Sequence, residues 1–353
     1  MPLTVLSVSY SLAHVSRKTA GGAEQVLTTL DEALVRAGHR SLVLAPAGSR
    51  CNGLLITAQI PRGILDDDAK HEARRIFKHH IDRILSEFSV DVVHMHGLDF
   101  YDYLPQQELP IVASLHLPLS WYASGALCDL PPEVTLVAVS ESQARTAPAD
   151  IKIKAVIPNG VDLSHFRPQE CKSNYVLAIA RICPEKGLHL AIDAAERAGI
   201  TLIIAGSVFD YSEHRDYFDS MIRPRLNDRI RFVNLVGGAR KSNLMAGARC
   251  LLVPSLAPET SSLVAMEAMA SGTPVVAFPS GALSEVVAHG RTGFLVNDAE
   301  EMADAIFACD SIAPQVCRGE AELKFSSARM FAEYLDLYRA AISSEVEPQF
   351  EAV

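Results

Sequence analysis

The chain has little basic charge: 32 Lys and Arg stand against 42 Asp and Glu, for a formal net charge of −10 and a pI near 5.6. Non-specific nucleic-acid binding needs a basic face to meet phosphates, so that class is excluded and any phosphate site must be local. No apolar run reaches the length of a membrane span, and the N-terminus has no basic segment ahead of an apolar one. A soluble protein that touches membranes at most peripherally is expected. No C-x-x-C pair occurs, and the seven cysteines (Cys51, Cys128, Cys171, Cys183, Cys250, Cys309, Cys317) are scattered singly. An odd, unpaired set indicates neither a disulfide framework nor a zinc site, and it fits a reducing cytoplasm. There is no G-x-G-x-x-G fingerprint, no internal repeat and no low-complexity segment. What is present is 353 residues, 49% hydrophobic and 21% charged, enough for two domains with separate cores.

The first half alternates strand and helix patterns. Residues 3–10 read as a strand, after which Gly21 and Gly22 open a helix with Val26, Leu27, Leu30 and Leu34 on one face; Gly38 closes it. Glycines delivered to a helix N-terminus let backbone N–H groups approach an anion, although glycine also serves as a plain flexible helix start. Strands at 42–45 and 54–60 precede a long amphipathic helix opening on Asp66, Asp67 and Asp68, which complement its macrodipole rather than hold a metal. Its buried stripe is Ala73, Ile76, Phe77, Ile81, Ile84, Leu85 and Phe88, with Lys70, Arg74, Arg75, Lys78 and Arg83 on a solvated face balanced by acidic neighbours. Strands follow at 91–96, with His94 and His96 on one face, at 111–116, with His116 near the carboxyl end, and at 135–139. Ser140 and Gln143 form a capping box for the next helix.

Pro158, Asn159 and Gly160 mark a boundary, and the alternation then restarts with strands at 175–180, 201–206, 230–236, 250–254, 275–278 and 293–296. Such alternation implies parallel sheets. Arg181 and Lys186 flank a turn at the end of the first of these strands, where a guanidinium fork and an ammonium suit a diphosphate and would neutralise a leaving nucleotide. The stretch 257–274 is the most informative. Leu263, Val264, Ala265, Met266, Ala268, Met269 and Ala270 are apolar on every side of a helix, so it should be buried all round, with Glu267 its only charge. A buried carboxylate needs a cation or several donors: a ribose diol would supply two, and a core ion pair is the other reading. Glu259 precedes the helix, beside the first free N–H groups of Thr260, Ser261, Ser262 and Leu263, a ready anion site. Gly272 and Pro274 end the helix.

Glu259 and Glu267, seven residues between them, resemble the E-x7-E signature of the family-4 retaining glycosyltransferases, and Gly21-Gly22-Ala23-Glu24, Pro158 to Asp162 and Arg181 with Lys186-Gly187 resemble that family's other motifs in the same order. The resemblance implies a GT-B α/β fold: two Rossmann-like domains with parallel sheets facing a central cleft. The N-terminal, acceptor-binding domain would span 1–160, the nucleotide-sugar domain 161–328, and a helix within 329–353 would return to the first domain. It further implies transfer of a hexosyl group from a UDP- or GDP-sugar to an acceptor hydroxyl, without cofactor or metal. The acceptor would be a sugar, a lipid-linked sugar or a small molecule, and the place of work cytoplasmic, peripheral to the inner membrane face at most. By resemblance His116, Glu259, Arg181 and Lys186 are catalytic, and Gly21, Gly22, Leu235, Thr260, Ser261, Ser262, Leu263 and Glu267 join Arg181 and Lys186 in donor binding. Glu259 would lie near the sugar and Glu267 on the ribose; Asn234 stands where the family has a glycine near the base, and Thr260-Ser261-Ser262 where many members have Gly-Phe-Gly. Another GT-B enzyme, such as a nucleotide-sugar epimerase or a phosphorylase, and a non-catalytic nucleotide-sugar-binding module are the alternatives.

Overall fold

The structure is a computed structural model that describes residues 1–17, 19, 21–61 and 66–344. It divides into two compact units: one runs to Pro158 and resumes at Ala328, the other is Asn159–Ser327. The last part of the expected returning helix, 345–353, lies outside the described residues.

The first unit holds strands β1 (Thr4–Val8), β2 (Arg40–Pro46), β3 (Leu54–Ala58), β4 (Val92–Met95), β5 (Ile111–Leu115), β6 (Val134–Ala138) and β7 (Ile153–Val156). They form one parallel sheet in the order β3-β2-β1-β4-β5-β6-β7. Helices α1 (Gly22–Arg36), α2 (Asp67–Glu87) and α3 (Glu141–Arg145) connect them. The apolar stripes read from periodicity are the faces that pack: Val26, Leu27, Leu30 and Leu34 of α1 and Ala73, Phe77, Ile81 and Ile84 of α2 are buried. Asp66 caps α2 by accepting from the Ala69 N–H at 2.9 Å, and Lys70 and Arg75 pair within the helix, as a solvated face should. Arg74 instead reaches Asp99 at 2.9 Å, in the segment after β4.

The second unit holds β8 (Tyr175–Ile179), β9 (Thr201–Ala205), β10 (Ile230–Phe232), β11 (Leu251–Val253), β12 (Val275–Ala277) and β13 (Gly293–Leu295), all parallel, in the order β10-β9-β8-β11-β12-β13. Around them run α4 (Leu188–Ala198), α5 (Ser212–Tyr217), α6 (Gly238–Gly247), α7 (Leu263–Ala270), α8 (Leu283–Val286), α9 (Ala299–Ala308) and α10 (Pro314–Lys324). β10 is shorter than the expected 230–236. Asn234 has φ 55°, the one non-glycine left-handed residue among those described, and an extended run cannot pass through it.

The final helix, α11 (Ser327–Ser344), belongs to the first unit. Its attachment is polar as well as apolar. Tyr338 Oη lies 2.6 Å from His94 Nδ1 in β4, and Tyr334 Oη lies 2.6 Å from Ser114 Oγ in β5, which in turn contacts His94 Nε2 at 2.8 Å. His94 is therefore a structural residue of the sheet–helix contact. No helix among the described residues is long and apolar enough to cross a membrane.

Candidate active site

In the second unit the strand order reverses between β8 and β11, and the chain leaves the carboxyl ends of these neighbours in different directions. Open α/β sheets place ligands at such a point. From β8 the chain enters the Arg181 turn; from β11 it enters the loop that carries Glu259. The two loops are stitched together, since the Leu256 and Ala257 N–H groups donate to the Glu185 carbonyl at 2.8 and 3.3 Å. Gly187 ends the turn at φ 59°, and a Cβ there would lie 2.1 Å from the Pro254 carbonyl oxygen. Only glycine permits both the left-handed conformation and the contact.

That stitching brings Lys186 Nζ to 2.6 Å from Glu259 Oε1, with side-chain exposures of 24% and 12%. Ser255 Oγ also donates to Glu259 Oε1. The Glu259 backbone is held from the other side, where it bridges Gly281 and its carbonyl accepts from the Ala282 N–H at 2.7 Å. The other cation, Arg181, lies over the ring of Phe209, 5.8 Å from the centroid.

α7 starts later than expected. Its first residue is Leu263 and its N-cap Ser262, so Thr260 and Ser261 belong to the loop, and the helix-start N–H groups are those of Leu263 and Val264. Residues 265–270 are buried as expected, while Leu263 and Val264 are partly exposed. Glu267, 7% exposed, meets Lys241 of α6: Nζ is 2.7 Å from Oε1 with hydrogen-bond geometry and 2.5 Å from Oε2. The Oε2 approach lacks that geometry, which leaves Oε2 buried without a hydrogen-bond partner, as is Ser261 Oγ. Leu235, after the left-handed Asn234, is 47% exposed.

In the first unit Gly21 is the N-cap of α1 and Gly22 its first residue. Glu24 folds its carboxylate beside Gly21, 7% exposed, so this helix start already carries an anion of its own. His116 follows β5 directly, its Nε2 3.0 Å from His96 Nδ1 and the rings stacked 5.3 Å apart. Gln143 holds the backbone there: its Nε2 donates to the carbonyls of Leu115 and Leu117 at 2.6 and 2.8 Å. The capping box is half formed, with Ser140 Oγ accepting from the Gln143 N–H while Gln143 Oε1 accepts from Val139 instead of Ser140. Burial lowers the pKa of His116 to about 4 and those of His94 and His96 well below the usual range. All three are neutral at pH 7.

Comparison with known proteins matches the family described as Glycosyltransferase Family 4 over residues 20–165 and Glycosyl transferases group 1 over residues 173–309. A phosphatidyl-myo-inositol mannosyltransferase of Mycolicibacterium smegmatis is 29% identical over 81% of this chain and 80% of its own. Among solved structures, AviGT4, a glycosyltransferase involved in avilamycin A biosynthesis, is 25% identical with TM-score 0.73, covering 97% of this chain and 98% of its own. The sucrose-phosphate synthase of Thermosynechococcus elongatus superposes at TM-score 0.80 with 20% identity over 97% of this chain and all of its own, which speaks to fold alone. The chain carries the paired domains of a GT-B glycosyltransferase.

Within this glycosyltransferase, two of the residues singled out from sequence, Lys186 and Glu259, are in direct contact; Glu267 lies on the next helix with a partner of its own. Three contributors were not foreseen. Lys241 lies on α6 with no spacing that ties it to Glu267, Ser255 is one polar residue at a strand end, and His96 shows its bearing on His116 only once β4 and β5 are neighbours.

The buried histidines give the glycosyltransferase an acid-sensitive stability. Unfolded, each binds a proton near pH 6.5; folded, His116 does so only near 4. Above pH 6.5 neither state is protonated and the term vanishes. As pH falls from 6.5 to 4 the unfolded state alone takes up protons, so stability drops by up to about 1.4 kcal/mol per pH unit for each such histidine. Urea melts at pH 7.5, 6 and 5 should show this loss, and replacing His96 and His116 together with glutamine should make it shallower, with the His94 contribution left. A flat wild-type profile would refute the assignment.

Proposed function

We propose that the protein is a retaining hexosyltransferase that takes a sugar from a nucleoside-diphosphate donor, UDP- or GDP-linked, and passes it to an acceptor hydroxyl. The observation that carries this is the Lys186–Glu259 pair at the reversal point of the second sheet, held by the stitched loops and the close contact of Gly187. Lys186 and Arg181 supply positive charge for the departing diphosphate, joined by the N–H groups at the start of α7 and by Ser261 Oγ. Glu267 Oε2, buried and held only by the ion pair with Lys241, is assigned a ribose hydroxyl as hydrogen-bond donor, and Leu235 offers an exposed apolar surface for the base. Neutral His116 is assigned a hydrogen bond to a sugar hydroxyl, and Gly21 and Gly22 are assigned backbone contacts to the donor. Glu24 at that helix start favours neutral sugar groups over phosphate there.

Retention follows from displacement on one face of the sugar. The bond from the anomeric carbon to the phosphate oxygen breaks, the acceptor oxygen bonds to the same face, and the acceptor proton passes to the departing phosphate oxygen. A covalent intermediate on Glu259 is disfavoured, because an oxygen that accepts from both an ammonium and a hydroxyl is a weak nucleophile. Catalysis then rests on positioning and charge stabilisation. Lys186 and Arg181 do what a divalent cation would, so turnover without added Mg²⁺ or Mn²⁺ should equal turnover with either; activity that appears only with added Mg²⁺ or Mn²⁺ would overturn this. Seven unpaired cysteines fit work in a reducing cytoplasm.

The relatives support the transferase reading over a non-catalytic module, and the HepE protein of Anabaena, of the same fold at 20% identity, TM-score 0.73 and coverage of 96% of this chain and all of its own, was solved with UDP-glucose. The test is a panel of UDP-, GDP- and ADP-sugars read by thermal shift. A donor at about 100 times its Kd should add ~2.7 kcal/mol of stability, naming base and sugar together. No shift with any donor would refute the reading.

A further inference from the structure

One cluster in the second unit has no part in the proposed transfer. Cys183 begins the turn that carries Lys186, Glu185 lies within it, and His214 is on α5, contributed from after β9. The Cys183 sulfur, a Glu185 carboxylate oxygen and a His214 ring nitrogen all lie within 4.8 Å of one another, the one such group of His, Cys, Asp and Glu side chains among the described residues. Cys183 is fully buried and His214 is 8% exposed. His214 Nδ1 and Glu185 Oε2 are both buried without a hydrogen-bond partner. A buried imidazole nitrogen and a buried carboxylate oxygen without partners, beside a thiol that hydrogen-bonds to that carboxylate, are costly unless a ligand satisfies them.

We propose that Cys183, Glu185 and His214 form a binding site for a zinc-class transition-metal ion. Sulfur, imidazole nitrogen and carboxylate oxygen together are a zinc donor set with a fourth position left for water, whereas Mg²⁺ and Ca²⁺ prefer oxygen alone. Thiolate and carboxylate balance the 2+ charge. Arg181 and Lys186 are opposing charges nearby; Arg181 lies over the Phe209 ring and Lys186 is paired with Glu259. Metal binding displaces the thiol proton: Cys183–SH plus M²⁺ gives the metal thiolate and one H⁺ released to solvent. The ion would tie α5 to the 183–187 turn and so hold Lys186 in place. The ion itself takes no step in the transfer, and spacing along the chain gave no sign of the site.

The experiment is titration of chelator-treated, full-length protein with CoCl₂, followed by displacement with ZnCl₂. One equivalent of Co²⁺ should bind with a thiolate-to-cobalt charge-transfer band in the near ultraviolet, and Zn²⁺ should abolish that band. Cys183→Ser should lose the band, and His214→Gln should bind Co²⁺ about 10²-fold or more weakly. Zn²⁺ should raise the melting temperature of wild type and leave that of Cys183→Ser unchanged. Binding without a thiolate band, or equal binding by wild type and Cys183→Ser, means an adventitious ion only and overturns the site. Should Cys183→Ser fail to fold, the wild-type band and His214→Gln decide the matter. No readout involves a sugar donor, so failure here leaves the transferase reading untouched.

Discussion

Lys186→Ala should lower kcat with the full donor by about 10²-fold or more, the loss typical of removing a preorganised charge stabiliser. The residue is not the freely exposed strand-end cation that its place in the sequence suggests. Its ammonium is 2.6 Å from Glu259, and both side chains are more than three-quarters covered. Removing it therefore has a second effect: a mostly buried carboxylate loses its cation. Breaking fully buried pairs costs about 3–5 kcal/mol; here Ser255 still donates and water reaches the edge, so about 1–2 kcal/mol is expected. The two effects separate in the double variant Lys186→Ala with Glu259→Gln. Neutralising Glu259 relieves the unpaired charge and should return most of the stability, while turnover stays low. Arg181→Ala, which removes a cation lying over Phe209 and not paired to Glu259, should lose turnover comparably with little change in stability. Steady-state kinetics and urea melts on the three variants provide the comparison, and wild-type turnover in Lys186→Ala would end the proposal for this residue.

The two glutamates should fail differently. Glu267→Gln should weaken binding of the free nucleoside diphosphate by about 10- to 10²-fold, the worth of hydrogen bonds to a charged acceptor. Glu259→Gln should leave that affinity nearly unchanged and lower kcat with the full donor, because its proposed partner is the sugar. Lys241 sharpens the test, since Glu267 already has a cation within 2.7 Å. If Glu267 serves only that ion pair, Lys241→Met and Glu267→Gln will both destabilise the fold and neither will change nucleotide affinity once the protein is folded. If Glu267 also holds the ribose, Glu267→Gln loses affinity beyond its effect on folding. Calorimetric titration with UDP and GDP, beside denaturation of each variant, measures both quantities. Equal loss of nucleotide affinity in Glu259→Gln and Glu267→Gln would refute the division of labour.

What the sequence determined by itself is what local periodicity and strand ends encode. Alternating patterns were enough for two parallel sheets, because a strand buried on both faces and a helix with one apolar stripe each leave a mark within a few residues. The apolar surround of Glu267 announced its burial in the same way, and Arg181, Lys186 and Glu259 were legible as residues just past strands. Only the tertiary structure decided which groups meet. Lys241 comes to Glu267 because α6 packs beside α7, and Lys186 comes to Glu259 because β8 and β11 are neighbours. His96 stacks on His116 through the β4–β5 pairing, and Gln143, readable only as a cap, turns out to hold the loop that carries His116. The start of α7 at Leu263 was equally hidden, since Thr260 and Ser261 are drawn into the loop whose Glu259 pairs with Gly281. Cys183, Glu185 and His214 converge only when α5 folds back over the turn. The physical reason is common to all of these: burial is written in each segment's own pattern, whereas ion pairs and ligand sets depend on strand order and loop paths, which no single segment contains.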